Sequence, residues 1–436
     1  MQVLPKLCDA KKIAACGKYN VLPMYCEMLS DFTTPMETLR MLKNVSTHCY
    51  LLESARADET WGRYTFLGFD PKMELTCING EMKVGDLTFQ TDQPSVYIRR
   101  VLDAYKSPRL EGLPPFTGGF VGYFSYDYVG YAEPCIKRMV QDTEQFKDVD
   151  LMLFDRVIAF DHVRQKIIFI VNIALNDINT EYNNGMLQLR QLCDLLRNGK
   201  KKREDGGKIK GEITPLFDRK SFCEMVKKAK AHIREGDIFQ IVLSNRFSAP
   251  FSGSLLNTYR VLRTINPSPY MFYFSGTDVE VAGASPETLV KLENGVLSTF
   301  PLAGTKPRGK TPAEDEQRQQ QLLHDEKELA EHDMLVDLGR NDLGKISKFG
   351  TVRVEQLHQI ERFSHVMHIG STVRGEIRED CDALDAIQAV LPAGTLSGAP
   401  KIRACQLIAE MENNKRGIYG GAIGYQRTCY LFRRAV

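Results

Sequence analysis

Through the first half of the chain, apolar positions alternate with polar ones or gather in short runs between turn residues. Segments 50–53, 87–90, 118–123, 157–161 and 167–173 have this character and are predicted strands. The longest apolar stretch, 167–175, contains Asn172 and is far too short to span a bilayer, so it reads as a buried strand. Helical spacing predicts helices near 35–43, 96–105 and 179–197. In the second half, a helix over 218–235 leads into a strand over 238–247, and helices dominate 314–342 and 400–416. Good helix formers run unbroken from 314 to 337.

The pattern lapses at 198–212, which is charged, rich in glycine and empty of large apolar groups except Ile209. It reads as an exposed linker between an N-terminal lobe, 1–197, and a second lobe, 213–436. A short echo joins the halves: Gly-Gly-Phe-Val-Gly-Tyr at 118–123 and Gly-Gly-Ala-Ile-Gly-Tyr at 420–425. Duplication would produce it, and so would two glycine-bearing strands that pass close to other backbone.

The chain has 436 residues, 57 of them basic and 55 acidic, for a net charge of +2. That balance gives no positive excess for nucleic acid or an anionic membrane surface. The eleven cysteines include no C-x-x-C pair, which points to reduced thiols and away from a disulfide frame or zinc site. With no apolar leader near the N-terminus, the expectation is a soluble, cytoplasmic protein with neither a membrane nor a nucleic-acid partner.

The densest chemistry lies in 325–344. Glu328 and Glu331 fall at i and i+3 on one helix face, with Asp325 a step earlier. Carboxylates so placed either face water or hold a cation, and one or two of them with water and an anionic substrate suit Mg²⁺. Residues 304–311 satisfy the Walker A spacing, but Pro307 has no N–H to offer a phosphate and its φ is fixed. Nucleotide binding is therefore rejected. The segment 392–401 opens a helix with Ser397 as its expected N-cap and Gly417 as its expected stop. Such a start is either a plain cap or a seat for a carboxylate. His365 and His368 are closely spaced but lack a third soft ligand nearby, so a hydrogen-bonding role is the simpler reading for His368.

Taken together, 325–344, Pro-Leu-Ala-Gly-Thr at 301–305, Ala-Ser-Pro-Glu at 284–287, 239–244, 392–401 and 419–425 resemble the chorismate-utilising enzymes. Leu-Leu-Glu-Ser at 51–54 and 266–273 narrow the resemblance to the anthranilate synthase large-subunit family. It implies an α+β fold of two lobes, with face-to-face packed β-sheets flanked by helices. It implies Mg²⁺ held by Glu331 with Glu328 beside it, and chorismate contacted by Gly304, Thr305, Thr395 and Tyr419. Glu287 is implied as the general acid for the departing C4 hydroxyl, with His368 near the ring. Family members that add water carry a lysine where this chain has Gln240, and those that make aminodeoxychorismate carry one where it has Ala303. Ammonia attack at C2 is what remains, with the ammonia supplied by a separate glutamine amidotransferase subunit. Glu53, Ser54, Pro269, Tyr270 and Met271 are implied as a pocket for L-tryptophan, drawn from both sides of the linker.

After Tyr425 the resemblance stops. Relatives continue with an arginine, a glycine-rich loop and a second metal-binding glutamate, and nothing around Arg433 or Arg434 matches. Two expectations follow: a Mg²⁺-dependent anthranilate synthase subunit, or a truncated remnant that still binds tryptophan or the glutaminase subunit. Aminodeoxychorismate and isochorismate or salicylate synthesis are less favoured.

Overall fold

The computed structural model describes residues 2–54, 62–136, 141–363 and 366–427. The run at 167–173 lies within the strand Lys166–Ala174, and its alternate residues reach opposite sides. Ile167, Phe169, Val171 and Ile173 join one core, while Ile168 and Ile170 join another. Burial on both faces is why the strand shows no polar alternation.

That strand belongs to a seven-stranded antiparallel sheet ordered Val21–Leu29, Lys166–Ala174, Arg156–Asp161, Tyr64–Phe69, Cys49–Glu53, Tyr270–Ser275 and Glu280–Ser285. A six-stranded sheet runs Ala422–Arg427, Gly119–Phe124, Val149–Phe154, Met73–Ile78, Glu81–Val84 and Leu87–Gln90. The two sheets pack face to face through Tyr50, Phe66 and Phe274 on one side and Tyr123, Met152 and Phe154 on the other. The ring of Tyr50 stands edge-on to that of Phe154, with centroids 4.7 Å apart. Helices Pro35–Val45, Ile178–Asn198 and Leu255–Ile265 cover the outer face of the larger sheet. The outer face of the six-stranded sheet packs on helices Pro94–Ala104 and Ala383–Val390 and on a third sheet. In that sheet Val366–Glu376 pairs with Val296–Thr299, Leu302–Pro307 and Arg353–Arg362. The architecture is α+β, as the resemblance implied. No helix among the described residues is long and apolar enough to cross a membrane.

Both large sheets draw strands from either side of 198–212. Within that segment Lys208–Ile209 pairs with Phe251–Ser252, and the largely buried Glu204 meets Lys43 at 3.1 Å. The echoed glycine segments are direct partners: Gly119–Phe124 lies antiparallel to Ala422–Arg427, with Gly122 opposite Gly424. A Cβ on Gly119, whose φ is +139°, would sit 2.1 Å from the Gln426 carbonyl oxygen. Close backbone approach thus accounts for that glycine.

Three expectations need correction. The unbroken helix over 314–337 is two helices, Pro312–Leu323 and Glu326–Gly344, because Asp325 caps the second by accepting the Glu328 N–H. The strand over 238–247 breaks into Gln240–Ile241, whose partner Gly398–Ala399 is only two residues long, and Phe247–Ser248, which pairs with Thr214–Pro215. Ser397 does not cap the following helix: its hydroxyl donates to the Ala393 carbonyl, the helix is Lys401–Glu412, and Asn413 closes it at φ 43°.

Candidate active site

Helix Glu326–Gly344 carries the paired carboxylates, and the bulged strand Leu302–Pro307 lies against it. The bulge falls between Ala303 and Thr305, at Gly304, whose φ of +67° favours glycine. A Cβ there would sit 3.3 Å from Glu328 Oε2 and 3.2 Å from Ile369 and Leu322, so the missing side chain leaves the carboxylate room. Nε2 of Gln240 donates to Glu331 Oε1 at 3.1 Å. Oε1 of Gln240 is buried with no partner among the described residues.

Beyond the bulge, Thr305 pairs with His368. Nδ1 of His368 lies 3.1 Å from the Gly304 carbonyl oxygen and 3.0 Å from the Thr305 hydroxyl. A carbonyl only accepts, so Nδ1 carries the proton and Nε2 of the neutral ring is an acceptor. Burial holds His368 below the usual histidine range, against the pull of that carbonyl.

Glu287 is bound to Thr395, whose hydroxyl donates to Oε2 at 2.7 Å. Burial raises the Glu287 carboxyl above its ordinary value, and the Thr395 bond and the Lys401 charge pull the other way. The loop holding Thr395 is seated on the carboxylate helix: a Cβ on Gly394 would lie 2.1 Å from Leu338 Cδ2. Tyr419 is 55% exposed, in the turn before Ala422–Arg427.

The structure thus links Gln240 with Glu331, Gly304 with Glu328 and His368, and Thr395 with Glu287. The 304–311 segment is strand and turn, and the Gly309 N–H donates to Asp315. His365 lies outside the described residues.

The donor set fits a hard divalent cation. Glu328 and Glu331 share a helix face, and no cation pairs with Glu331 among the described residues. The sole counter-charge on Glu328 there is the exposed Lys327 at 3.9 Å. The one three-ligand cluster among the described residues, His232, Glu235 and Asp237, lies elsewhere, and Arg403 already binds Asp237.

In the second group, Glu53 accepts from Tyr259 at 2.5 Å and from Arg263 Nε at 2.6 Å, and it pairs in register with Met271. Tyr270 bonds Thr288 through its hydroxyl. Pro269 and Tyr270 line a cleft of about 510 Å³ that also takes in Thr288, Phe300 and Gln359. Ser54 follows this strand. Tyr259, Arg263, Glu412 and Arg416 carry no motif of their own, and the sequence reading missed them; Lys401 closes the 392–401 motif but had no role assigned to it.

A family model described as chorismate binding enzyme matches residues 47–428. The chain is 42% identical over 429 residues to anthranilate synthase component 1 of Acetivibrio thermocellus, covering 96% of this chain and 86% of that one. It is 44% identical over 425 residues to the component 1 of Aquifex aeolicus, covering 93% and 84%. The crystal structure of anthranilate synthase component I from Streptococcus pneumoniae superposes with a TM-score of 0.75 at 35% identity, over 86% of this chain and 82% of that chain. A menaquinone-specific isochorismate synthase from Escherichia coli, at 16% identity and a TM-score of 0.66, shares the fold. The chain belongs to the chorismate-binding enzyme family.

Proposed function

We infer that the chain is an anthranilate synthase large subunit, converting chorismate and ammonia to anthranilate, pyruvate and water. The observation that carries the choice of nucleophile is Gln240. Its amide nitrogen is committed to Glu331, which leaves a buried oxygen free to accept an N–H of ammonia. Ammonia arrives as a nucleophile and needs orientation more than a base. With no lysine at 240 or 303, activation of water and attack by lysine are both disfavoured.

In this reading ammonia adds at C2 while Glu287 gives its proton to the C4 hydroxyl, which leaves as water. Nε2 of His368 then takes the C2 proton as the enolpyruvyl C–O bond breaks, releasing pyruvate and aromatising the ring. The raised proton affinity of Glu287 and the acceptor state of Nε2 support these roles. Glu331 and Glu328 would hold Mg²⁺, whose charge would offset a chorismate carboxylate. Gly304, Thr305, Thr395 and Tyr419 would bind the substrate.

A component 1 implies a component 2, so ammonia is proposed to come from a glutamine amidotransferase partner. Glu53, Ser54, Pro269, Tyr270 and Met271 are proposed to bind tryptophan as end-product inhibitor. The test is anthranilate fluorescence from the purified chain with chorismate, Mg²⁺ and concentrated ammonium. Signal abolished by EDTA supports the reading. A folded chain that binds chorismate yet yields isochorismate or aminodeoxychorismate instead would refute it.

A further inference from the structure

Four bonds from one guanidinium reach across separate parts of the site. Nη1 of Arg416 donates to the Leu396 carbonyl at 2.6 Å, and Nη2 donates to the Val242 carbonyl at 2.7 Å. Nη2 and Nε also grip Glu412, at 2.6 and 2.9 Å. Oε1 of Glu412 in turn accepts the Ser244 N–H at 2.7 Å. The side chains of Arg416 and Glu412 are 3% and 4% exposed, and the guanidinium lies 4.6 Å from the centroid of the Tyr126 ring.

Leu396 follows Thr395, Val242 lies two residues past Gln240, and Arg416 itself precedes Tyr419 by three. The two clamped segments are also bonded to each other, Val242 N–H to the Ser397 carbonyl at 2.9 Å and Phe239 N–H to the Ala399 carbonyl at 2.7 Å. That contact is only two residues of strand on each side, too short to hold a register alone.

We propose that Arg416 is a positioning residue for the reaction, fixing the backbones that carry Gln240 and Thr395 through the Val242 and Leu396 carbonyls. It touches neither substrate nor reacting atoms in this scheme, and the inference rests on the site assigned above. A planar fork with five donors serves these separated acceptors at once, and a lysine ammonium on a flexible stem does not. A buried ion pair is by itself weak evidence of stabilisation, so its carbonyl bonds to two site segments give the better account.

The test compares Arg416→Lys with the double variant Arg416→Ala/Glu412→Ala, which leaves no buried charge unpaired. Amide exchange by mass spectrometry, chorismate affinity by calorimetry without ammonium, and ammonium-driven turnover are measured on each. The expected result is exchange faster by about tenfold at 239–244 and 394–399. Strand Lys166–Ala174 should stay protected, chorismate affinity should fall about tenfold, and kcat should fall further still. Leu189→Ala, a cavity in the distant helical layer, should lower Tm without moving any of these. The proposal is overturned if both Arg416 variants keep protection at 239–244 and 394–399, or lose it with chorismate affinity within twofold of the parent. Gln240→Ala and Thr395→Ala separate the two levels. If they too are silent in affinity and kcat, the assigned site is wrong; if they are impaired while the Arg416 variants are not, only the positioning role falls.

Discussion

The Thr395 hydroxyl donates to Oε2 of Glu287 at 2.7 Å, and this bond favours the ionised form of a carboxyl whose proton affinity burial raises. A general acid works while it holds its proton, so activity falls as pH rises through its pKa. Removing a bond to the carboxylate raises that pKa further. Thr395→Val should therefore move the alkaline limb of the kcat/KM profile to higher pH while lowering its plateau. A limb that stays put, or moves toward acid, would count against Glu287 as the acid.

The Glu331 carboxylate has no cationic partner among the described residues and receives the Gln240 amide. Glu331→Ala should cut ammonium-driven turnover on the order of a hundredfold. It should also weaken Mg²⁺ binding measured calorimetrically on the substrate-free chain. Unchanged Mg²⁺ affinity would place the ion elsewhere.

Asp127 is the clearest source of pH-dependent stability. Burial lifts its carboxyl to about 7, against the Gly417 N–H and Lys415, while Asp148 and Asp142 add to the rise. A carboxyl raised on folding binds more protons in the native state than in the unfolded one. Stability is then highest below the unfolded value near 4 and declines until pH passes about 7. Asp127→Asn should flatten urea-unfolding stability across pH 4 to 7, and a slope equal to the parent's would refute the assignment.

Glu53 sits between Tyr259 and Arg263 beside the paired residue Met271. If this cluster receives tryptophan, ligand binding raises the parent's Tm by mass action. Glu53→Gln frees Arg263 and should shrink that shift by most of its size. An undiminished shift would move the tryptophan site away from this strand.

Local pattern revealed the helices Pro35–Val45 and Ile178–Asn198 and runs such as 167–173, buried on both faces, but passed over strands such as Val21–Leu29 and Val149–Phe154. It failed where a single side chain decides. Asp325 breaks a helix that composition reads as continuous, and its carboxylate does so by capping Glu328. Phe239 and Phe247 look like buried strand residues yet are 74% and 65% exposed, although Phe247 does begin a short strand. The site residues found by resemblance lie in short ordered motifs. Glu412 and Arg416 escaped because charges near a helix end read as solvated, and only convergence of distant segments buries them.

The glycine seam has a kinetic side. Gly122 and Gly424 are about 300 residues apart in the chain yet opposite in the sheet. One edge of Gly119–Phe124 therefore gains its described partner only through a contact of very long sequence separation, and until then an open edge invites pairing with other chains. Amides of Gly119–Phe124 that face Ala422–Arg427 should become protected late during refolding, in step with that strand. Aggregation should be worst before this step, while that edge of Gly119–Phe124 stands open.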